Sequence, residues 1–372
     1  LFSVNQLNRN GSRIYIIPQI TRSQENVSEI YMFKVVTFGE VMLRLATMRR
    51  ERFTQAREFE VTYGGGECNV AVSLAQFGVD ATFVSAIPDN DIGQACVNYI
   101  RQFGVDTSEI LRQGKRLGTY YIESGAAMRA SKVVYDRAAS SIAEIKPGEI
   151  DWEKVFAGKD WFHFTGITPA ISKSAAAACD EAAAAAKELG LTVSADMNYR
   201  GNLWSAEEAQ ATMIPMMKHV DVSIGNEEDA EKCLGVAAEG VDVTTGEIDA
   251  NAYRPVVQEL VDKYGFKKVA ITLRESHSAD DNVWSAIYFD GDEILLGNKY
   301  DVRIVDRVGG GDSFCAGMIY GLNQEGWSSR QILDFAVASS AMSHTFHGDF
   351  NLVSVKEVMT VAGGDVTGRV QR

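Results

Sequence analysis

The chain has 372 residues, 46% of them hydrophobic and 23% charged, with a formal net charge of −14. That length is enough for one large α/β domain. The acidic balance, with no strongly basic stretch, argues against nucleic acid as a partner, and no apolar run is long enough to span a bilayer.

Residues 1–31 carry no continuing helical or strand period, and no compact apolar stretch precedes a small-residue cleavage site. They read as a leader or an extended start outside the fold, not as a signal peptide. The apolar run 35–38, ending at Gly39, predicts a first buried strand. A helix is expected over 69–77, stopping at Gly78, then a strand over 81–86 and a helix over 92–103 closed by Gly104. This alternation predicts a parallel sheet with helical crossovers.

Two stretches, 43–63 and 118–137, break the rhythm with strand formers and charges. Tyr120–Ile122 and Lys132–Tyr135 are expected to pair antiparallel, and the two stretches read together as a small lid over a site. The alternation resumes with a strand over 161–164, in which His163 is expected to be a satisfied core residue. An alanine-rich helix over 172–189, a strand over 191–195, a helix over 206–219 and a strand over 220–224 follow. A strand over 269–273, a hairpin around 288–292 and helices from Asp312 and Arg330 complete a domain over 33–362, leaving 363–372 as a tail.

The five cysteines, Cys68, Cys96, Cys179, Cys233 and Cys315, contain no C-x-x-C pair, which argues against a disulfide framework or a zinc site and fits a reducing, cytoplasmic setting. His344 and His347 lack a third ligand for zinc.

The segment with most chemical content is Val305-Asp306-Arg307-Val308-Gly309-Gly310-Gly311-Asp312. Glycines at a strand-to-helix turn let backbone N–H groups and the helix N-terminus approach an anion. Asp312, at the start of that helix, can accept a proton from a hydroxyl, and phosphoryl transfer needs chiefly positioning and electrostatics. By itself the turn fits equally well a tight connection with Asp312 as an ordinary helix cap. No G-x-x-x-x-G-K-[ST] run occurs, which disfavours a Walker-type NTPase.

This segment resembles the C-terminal signature of the ribokinase-like (PfkB-type) carbohydrate kinases, and Tyr63-Gly64-Gly65-Gly66-Glu67-Cys68-Asn69 resembles their N-terminal one. The resemblance runs from about residue 33 to 361. It implies a ribokinase-like three-layer α/β/α sandwich with a mostly parallel central sheet and a small β-sheet lid. It implies ATP and Mg²⁺, with Gly309, Gly310 and Gly311 as anion hole and Asp312 as catalytic base. Gly65, Gly66 and Asn69 would hold the sugar, and Asp349 matches a position that can reach it. Ser223-Ile224-Gly225-Asn226-Glu227-Glu228-Asp229 is similar to the family's N-x-x-E segment, in which Glu228 or Asp229 would organise Mg²⁺ through water. Without that likeness it reads as a helix start with acidic first-turn residues. Thr272 and Arg274 resemble a strand-end loop that touches ATP phosphates. Arg307 and Val308 stand where the broader family often has threonines, so the role of Arg307 stays open.

The stretches around Tyr135-Asp136-Arg137 and Asp196-Met197-Asn198-Tyr199-Arg200 look like those of the 2-keto-3-deoxygluconate kinases within this family. That likeness implies Tyr120 (or its neighbour Tyr121), Tyr135 and Arg137 as sugar-acid contacts, with Asn198 and Arg200 near the transferred phosphate. Arginine suits bidentate carboxylate recognition. Taken singly, Arg137 also fits a surface ion pair with Asp136, and the tyrosines fit strand packing. The alternatives are a fructokinase or ribokinase acting on a neutral sugar and a non-catalytic sugar binder. The lid's exposed edges imply a homodimer formed lid on lid.

Overall fold

In the computed structural model, which describes residues 33–237 and 250–369, the first apolar run forms strand β1 (Lys34–Phe38). The expected leader, 1–31, lies outside the described residues, as does the end of the tail beyond 369. After β1 come β2 (Met42–Thr47), β3 (Phe59–Gly64), α1 (Gly66–Gln76), β4 (Asp80–Val84), β5 (Ala86–Ile87), α2 (Asp91–Arg101), β6 (Leu111–Arg112), β7 (Gly118–Glu123) and β8 (Lys132–Asp136). Then follow α3 (Trp152–Phe156), β9 (Trp161–Thr165), α4 (Ile167–Ile171), α5 (Lys173–Glu188), β10 (Thr192–Asp196), α6 (Ala206–Met216), β11 (Val222–Asn226) and α7 (Glu227–Leu234). The last part holds α8 (Arg254–Tyr264), β12 (Lys268–Ser276), β13 (Asp281–Phe289), β14 (Ile294–Leu296), β15 (Tyr300–Arg303), α9 (Gly310–Leu322), α10 (Ser329–Ser343) and α11 (Val355–Ala362).

The described strands build a nine-stranded sheet in the order β14-β13-β12-β11-β10-β9-β1-β4, with β15 also on β13. From β4 to β12 all pairs are parallel, and β13 turns back antiparallel on β12. Parallel strands covered by helices on both sides need apolar residues on both faces. Val35 and Trp161 accordingly join one core with α1, α2, α9 and α10, while Val36 and Phe162 join the other with α3, α5, α6 and α8. This is the expected three-layer sandwich. In α5 the alanines Ala175, Ala178, Ala182, Ala183 and Ala186 are fully buried, so the low-complexity stretch is a close-packing face.

Helix starts follow local chemistry. Ser205, Ser328 and Ser354 each form a capping box with the residue three positions on, and Ser172 caps α5. Gly235 and Gly265 close α7 and α8 in the left-handed conformation.

A separate four-stranded sheet has the order β3-β2-β7-β8. Its β7–β8 pair is antiparallel, with Tyr120 opposite Tyr135. Its central pair, β2 with β7, is parallel and joins segments far apart in sequence.

Three local expectations change. The 81–86 strand divides into β4 and β5. Arg274 is not at a strand end, because β12 continues to Ser276 and pairs Arg274 with Trp284. His163 is only half satisfied: Nδ1 meets Ser194 Oγ at 2.8 Å, while Nε2 is buried without a partner.

Helices α9 and α10 cross at Gly317, where a Cβ would lie 2.6 Å from the Cα of Ala336. A backbone atom in a packed layer cannot step aside cheaply. We expect Gly317→Val to destabilise the chain by about 2 kcal/mol or more, read as a lowered midpoint in urea unfolding at unchanged slope.

Candidate active site

The strands β9, β10 and β11 end at one edge of the sheet, and the N-termini of α1, α7 and α9 point to the same edge. The small sheet closes the other side of a cleft of about 510 Å³. Open α/β sheets generally bind ligands at the carboxyl ends of their strands. Of the residues singled out from the sequence, all but the alternative Tyr121 line this cleft: Gly65, Gly66, Asn69, Tyr120, Tyr135, Arg137, Asn198, Arg200, Asn226, Glu228, Asp229, Thr272, Arg274, Gly309, Gly310, Gly311, Asp312 and Asp349.

Helix α9 begins at Gly310, with Gly309 as its cap at φ 84°, so two of the three glycines belong to the first turn. The first intrahelical bond runs from Ser313 N–H to Gly309 O. The N–H groups of Gly310, Gly311 and Asp312 thus have no acceptor within the helix. Glycine is required twice here. At Gly309 a Cβ would sit 2.2 Å from the carbonyl oxygen of Asp349, and at Gly310 it would sit 2.4 Å from the His344 ring. His344 is held in turn by Ser340 O at 2.7 Å from Nδ1.

Asp312 is buried, and its Oδ2 accepts a 2.6 Å hydrogen bond from Asn69 Nδ2. The Asn69 Oδ1 accepts from Gly65 N–H, so this amide is engaged on both sides within the protein. Burial pushes the Asp312 carboxyl up to about 6, against the downward pull of the Asn69 hydrogen bond. Asp196, at the end of β10, is held well above the usual carboxyl range by burial and then by Asp229 and Asp312, with Arg200 opposing. Asn198 Nδ2 donates to Asp196 Oδ2 at 3.0 Å.

The acidic segment of α7 is a capping box. Asn226 Oδ1 accepts from Glu228 N–H and Asp229 N–H, and Asp229 Oδ2 accepts from Asn226 N–H. Asp229 Oδ1 accepts from Tyr199 N–H at 2.8 Å. Both Asp229 oxygens are therefore engaged by backbone, whereas Glu228 is exposed at the cleft. Among the described residues no group of three His, Cys, Asp or Glu side chains could hold a metal ion.

Arg137 does not pair with Asp136, whose partner is Arg116 at 2.7 Å. Its guanidinium donates to the buried Glu40 and lies 5.1 Å from the Tyr135 ring centroid. Tyr120 faces the cleft and donates to Asp349 at 2.7 Å, while Tyr121 packs on Phe59. Glu40, Arg44, Asp196 and Asp306 were not singled out from the sequence. Local sequence carries no signal for Arg44: in Met42-Leu43-Arg44-Leu45-Ala46 the period of two reads Leu43 and Leu45 as the apolar face and Arg44 as an outward charge, whereas the structure buries Arg44 with Met42 and Ala46.

A family model described as the pfkB family of carbohydrate kinases matches residues 32–354. The chain belongs to this family. A 2-dehydro-3-deoxygalactonokinase from Haloferax volcanii is 31% identical over 333 residues, covering 89% of this chain and 98% of its own length. A 2-dehydro-3-deoxygluconokinase from Thermoproteus tenax is 27% identical over 323 residues, covering 86% of this chain and 90% of its own length. The crystal structure of 2-dehydro-3-deoxygluconokinase from Thermotoga maritima superposes with a TM-score of 0.86 at 49% identity, covering 89% of this chain and 100% of that one. The chain is thus a carbohydrate kinase with the ribokinase-like fold.

In this pfkB kinase the glycine motif before α1 also carries Glu67, which is buried. Its Oε1 accepts from Thr165 N–H, Thr165 Oγ1 and Thr168 Oγ1, and burial pushes the carboxyl up to about 7. A carboxyl raised in the folded state binds its proton there while the unfolded chain has released it, so stability is lost as pH rises from the unfolded value toward 7. The loss amounts to roughly 3 kcal/mol at most. Glu67→Gln keeps an acceptor oxygen without the charge. Thermal melts should show the variant gaining on wild type between pH 5 and pH 8; parallel melting curves at both pH values would contradict this.

Proposed function

We propose that this kinase transfers the γ-phosphoryl group of ATP to the terminal hydroxyl of 2-keto-3-deoxygluconate. The observation that carries the reading is the placement of Asp312: a buried carboxylate facing the cleft, fixed by Asn69, in the first turn of a helix whose leading N–H groups have no helical acceptor. The hydroxyl proton passes to Asp312 as the sugar oxygen bonds the γ-phosphorus and the bond to the ADP oxygen breaks. The N–H groups of Gly310, Gly311 and Asp312 take the negative charge that gathers on the phosphoryl oxygens.

The nucleotide phosphates would lie along Asn198, Asn226, Thr272 and Arg274, with Arg200 beside the transferred group. Mg²⁺, when bound, would neutralise phosphate charge, and Glu228 is the carboxylate free to hold its water shell, since Asp229 is engaged by backbone N–H groups. The sugar would lie between Gly65–Gly66 and the small sheet, which serves as a lid. Phe59, Val61 and Val134 on that sheet are exposed apolar residues, and a second copy covering them would form the dimer.

The acidic sugar is favoured over fructose or ribose by the relatives named for sugar-acid kinases and by Arg137 and Arg200 at the cleft. A coupled ATP assay with a sugar panel tests this directly. We expect turnover of the keto acid, and turnover of fructose with none of the keto acid would reassign the enzyme to neutral sugars. Arg137→Ala should raise KM for the keto acid about tenfold or more while leaving KM for ATP unchanged.

Asp312→Asn should lower kcat by about 10³-fold or more while sparing ATP binding. In the wild type the rate should fall on acidification through about pH 6, because the protonated carboxyl cannot accept the hydroxyl proton. A rate independent of pH between 5 and 8 would remove Asp312 from the role of base.

A further inference from the structure

Arg44 is nearly inaccessible to solvent, yet it comes from β2 of the small sheet and not from the main domain's core. Its guanidinium spans two buried carboxylates. Nη1 donates to Asp349 Oδ1 at 2.5 Å, and Nη2 donates to Asp306 Oδ2. The Asp306 carboxylate holds backbone near the glycine turn, and Asp349 belongs to the backbone that packs on it. Asp306 Oδ1 accepts Val308 N–H, just before Gly309, and its Oδ2 accepts Gly348 N–H, both at 3.2 Å. Asp349 accepts the Tyr120 hydroxyl from β7, and its carbonyl oxygen packs on Gly309 so closely that no Cβ could stand there. At the end of β3, Gly64 is equally close, since a Cβ would fall 2.0 Å from Asp349 Oδ2. The guanidinium from β2 thus bridges both backbone segments beside the glycine turn, and at Asp349 it is joined by Tyr120 of β7 and by the close approach of Gly64 of β3.

We infer that Arg44 is a positioning residue: it locks the small sheet onto the Gly309–Asp312 turn through Asp306 and Asp349, so that the turn reaches its reactive geometry only with the sheet docked. Resting on the phosphoryl-transfer reading, this adds a residue that touches neither substrate. It also gives Asp349 a different part from sugar contact, because its oxygens are held by Arg44 and Tyr120. Two carboxylates this close require a cation between them, and the planar fork of arginine meets both at once, which one ammonium group does not do in the same geometry.

The test uses the full chain carrying Arg44→Ala, Arg44→Met or Arg44→Lys, with folding checked by thermal melting. Wild-type turnover of the keto acid in the same assay keeps the outcomes apart: without it the phosphoryl-transfer reading fails, and with it intact the variants judge Arg44. We expect Arg44→Ala to lower kcat about 100-fold, the size expected for an ångström-scale misplacement. Added guanidinium ion should restore part of that loss in Arg44→Ala, whose deleted side chain leaves room for it. It should do nothing for Arg44→Met, whose side chain fills the space. If neither variant folds, Arg44→Lys decides, with a kcat about tenfold below wild type expected from the loss of one arm of the fork. A folded Arg44→Ala with wild-type kcat, guanidinium acting alike on Ala and Met, or an Arg44→Lys with unchanged kcat would each overturn the inference.

Discussion

The centre of this molecule has to keep a crowd of carboxylates out of water. Glu40, Glu67, Asp196, Asp229, Asp306, Asp312 and Asp349 are all buried near one edge of the sheet, with Arg44, Arg137 and Arg200 among the opposite charges that stand there. Burying an unpaired carboxylate is costly, and the molecule offsets the cost in three ways. Glu67, Asp229 and Asp312 sit in the first turns of α1, α7 and α9, where the helix dipole favours negative charge. Glu67, Asp229 and Asp306 accept backbone N–H groups. Glu40, Asp306 and Asp349 meet guanidinium groups. These offsets are incomplete, and burial still raises the carboxyl pKa of Glu40, Glu67, Asp196, Asp229, Asp312 and Asp349.

The same crowding explains what the sequence made legible. Glycine-closed helices and apolar strands recur along the chain because parallel strands and crossover helices obey local rules of period and capping, so the order of elements was readable with boundaries displaced by a few residues. The glycine motifs were readable for a related reason: Gly64, Gly309 and Gly310 leave room for Asp349 and His344. What local reading misses is long-range. The parallel pairing of β2 with β7 brings Arg44 beside Tyr120, and nothing in either stretch announces the other. Arg44 between Met42 and Ala46 looks like an outward charge until the partner acids, more than 260 residues away, are in view. The extension of β12 past Arg274 is set by the returning strand β13, again a tertiary effect.

The pairing of Arg137 with Glu40 changes how carboxylate recognition has to be understood. A lone arginine would attract any anion, but this one is already neutralised by a buried carboxylate. On the proposed reading, an incoming sugar acid would share the guanidinium with Glu40. That shared geometry holds the planar group in one orientation before substrate arrives, which limits the ordering that binding must supply. Burial raises the Glu40 pKa while Arg137 opposes the shift, so drawing the arginine toward substrate would favour uptake of a proton by Glu40. A neutral sugar would exert no such draw, and discrimination would rest on that difference in charge.

If Arg44 acts as inferred, sheet docking and chemistry would be linked for a reason that lies in the reaction. Water competes with the sugar hydroxyl for the same phosphoryl group, and a helix N-terminus left open would present that group to solvent. If the turn holds its reactive shape only while Arg44 bridges Asp306 and Asp349, then a raised sheet loosens the anion hole at the moment water could enter. The glycines at this turn make the device workable, because the backbone there has little side-chain bulk of its own to hold its shape and takes it from neighbours. Asp349 would be the link: its carboxylate answers to the small sheet and its carbonyl to Gly309, so a displacement at one would be transmitted to the other within a single residue.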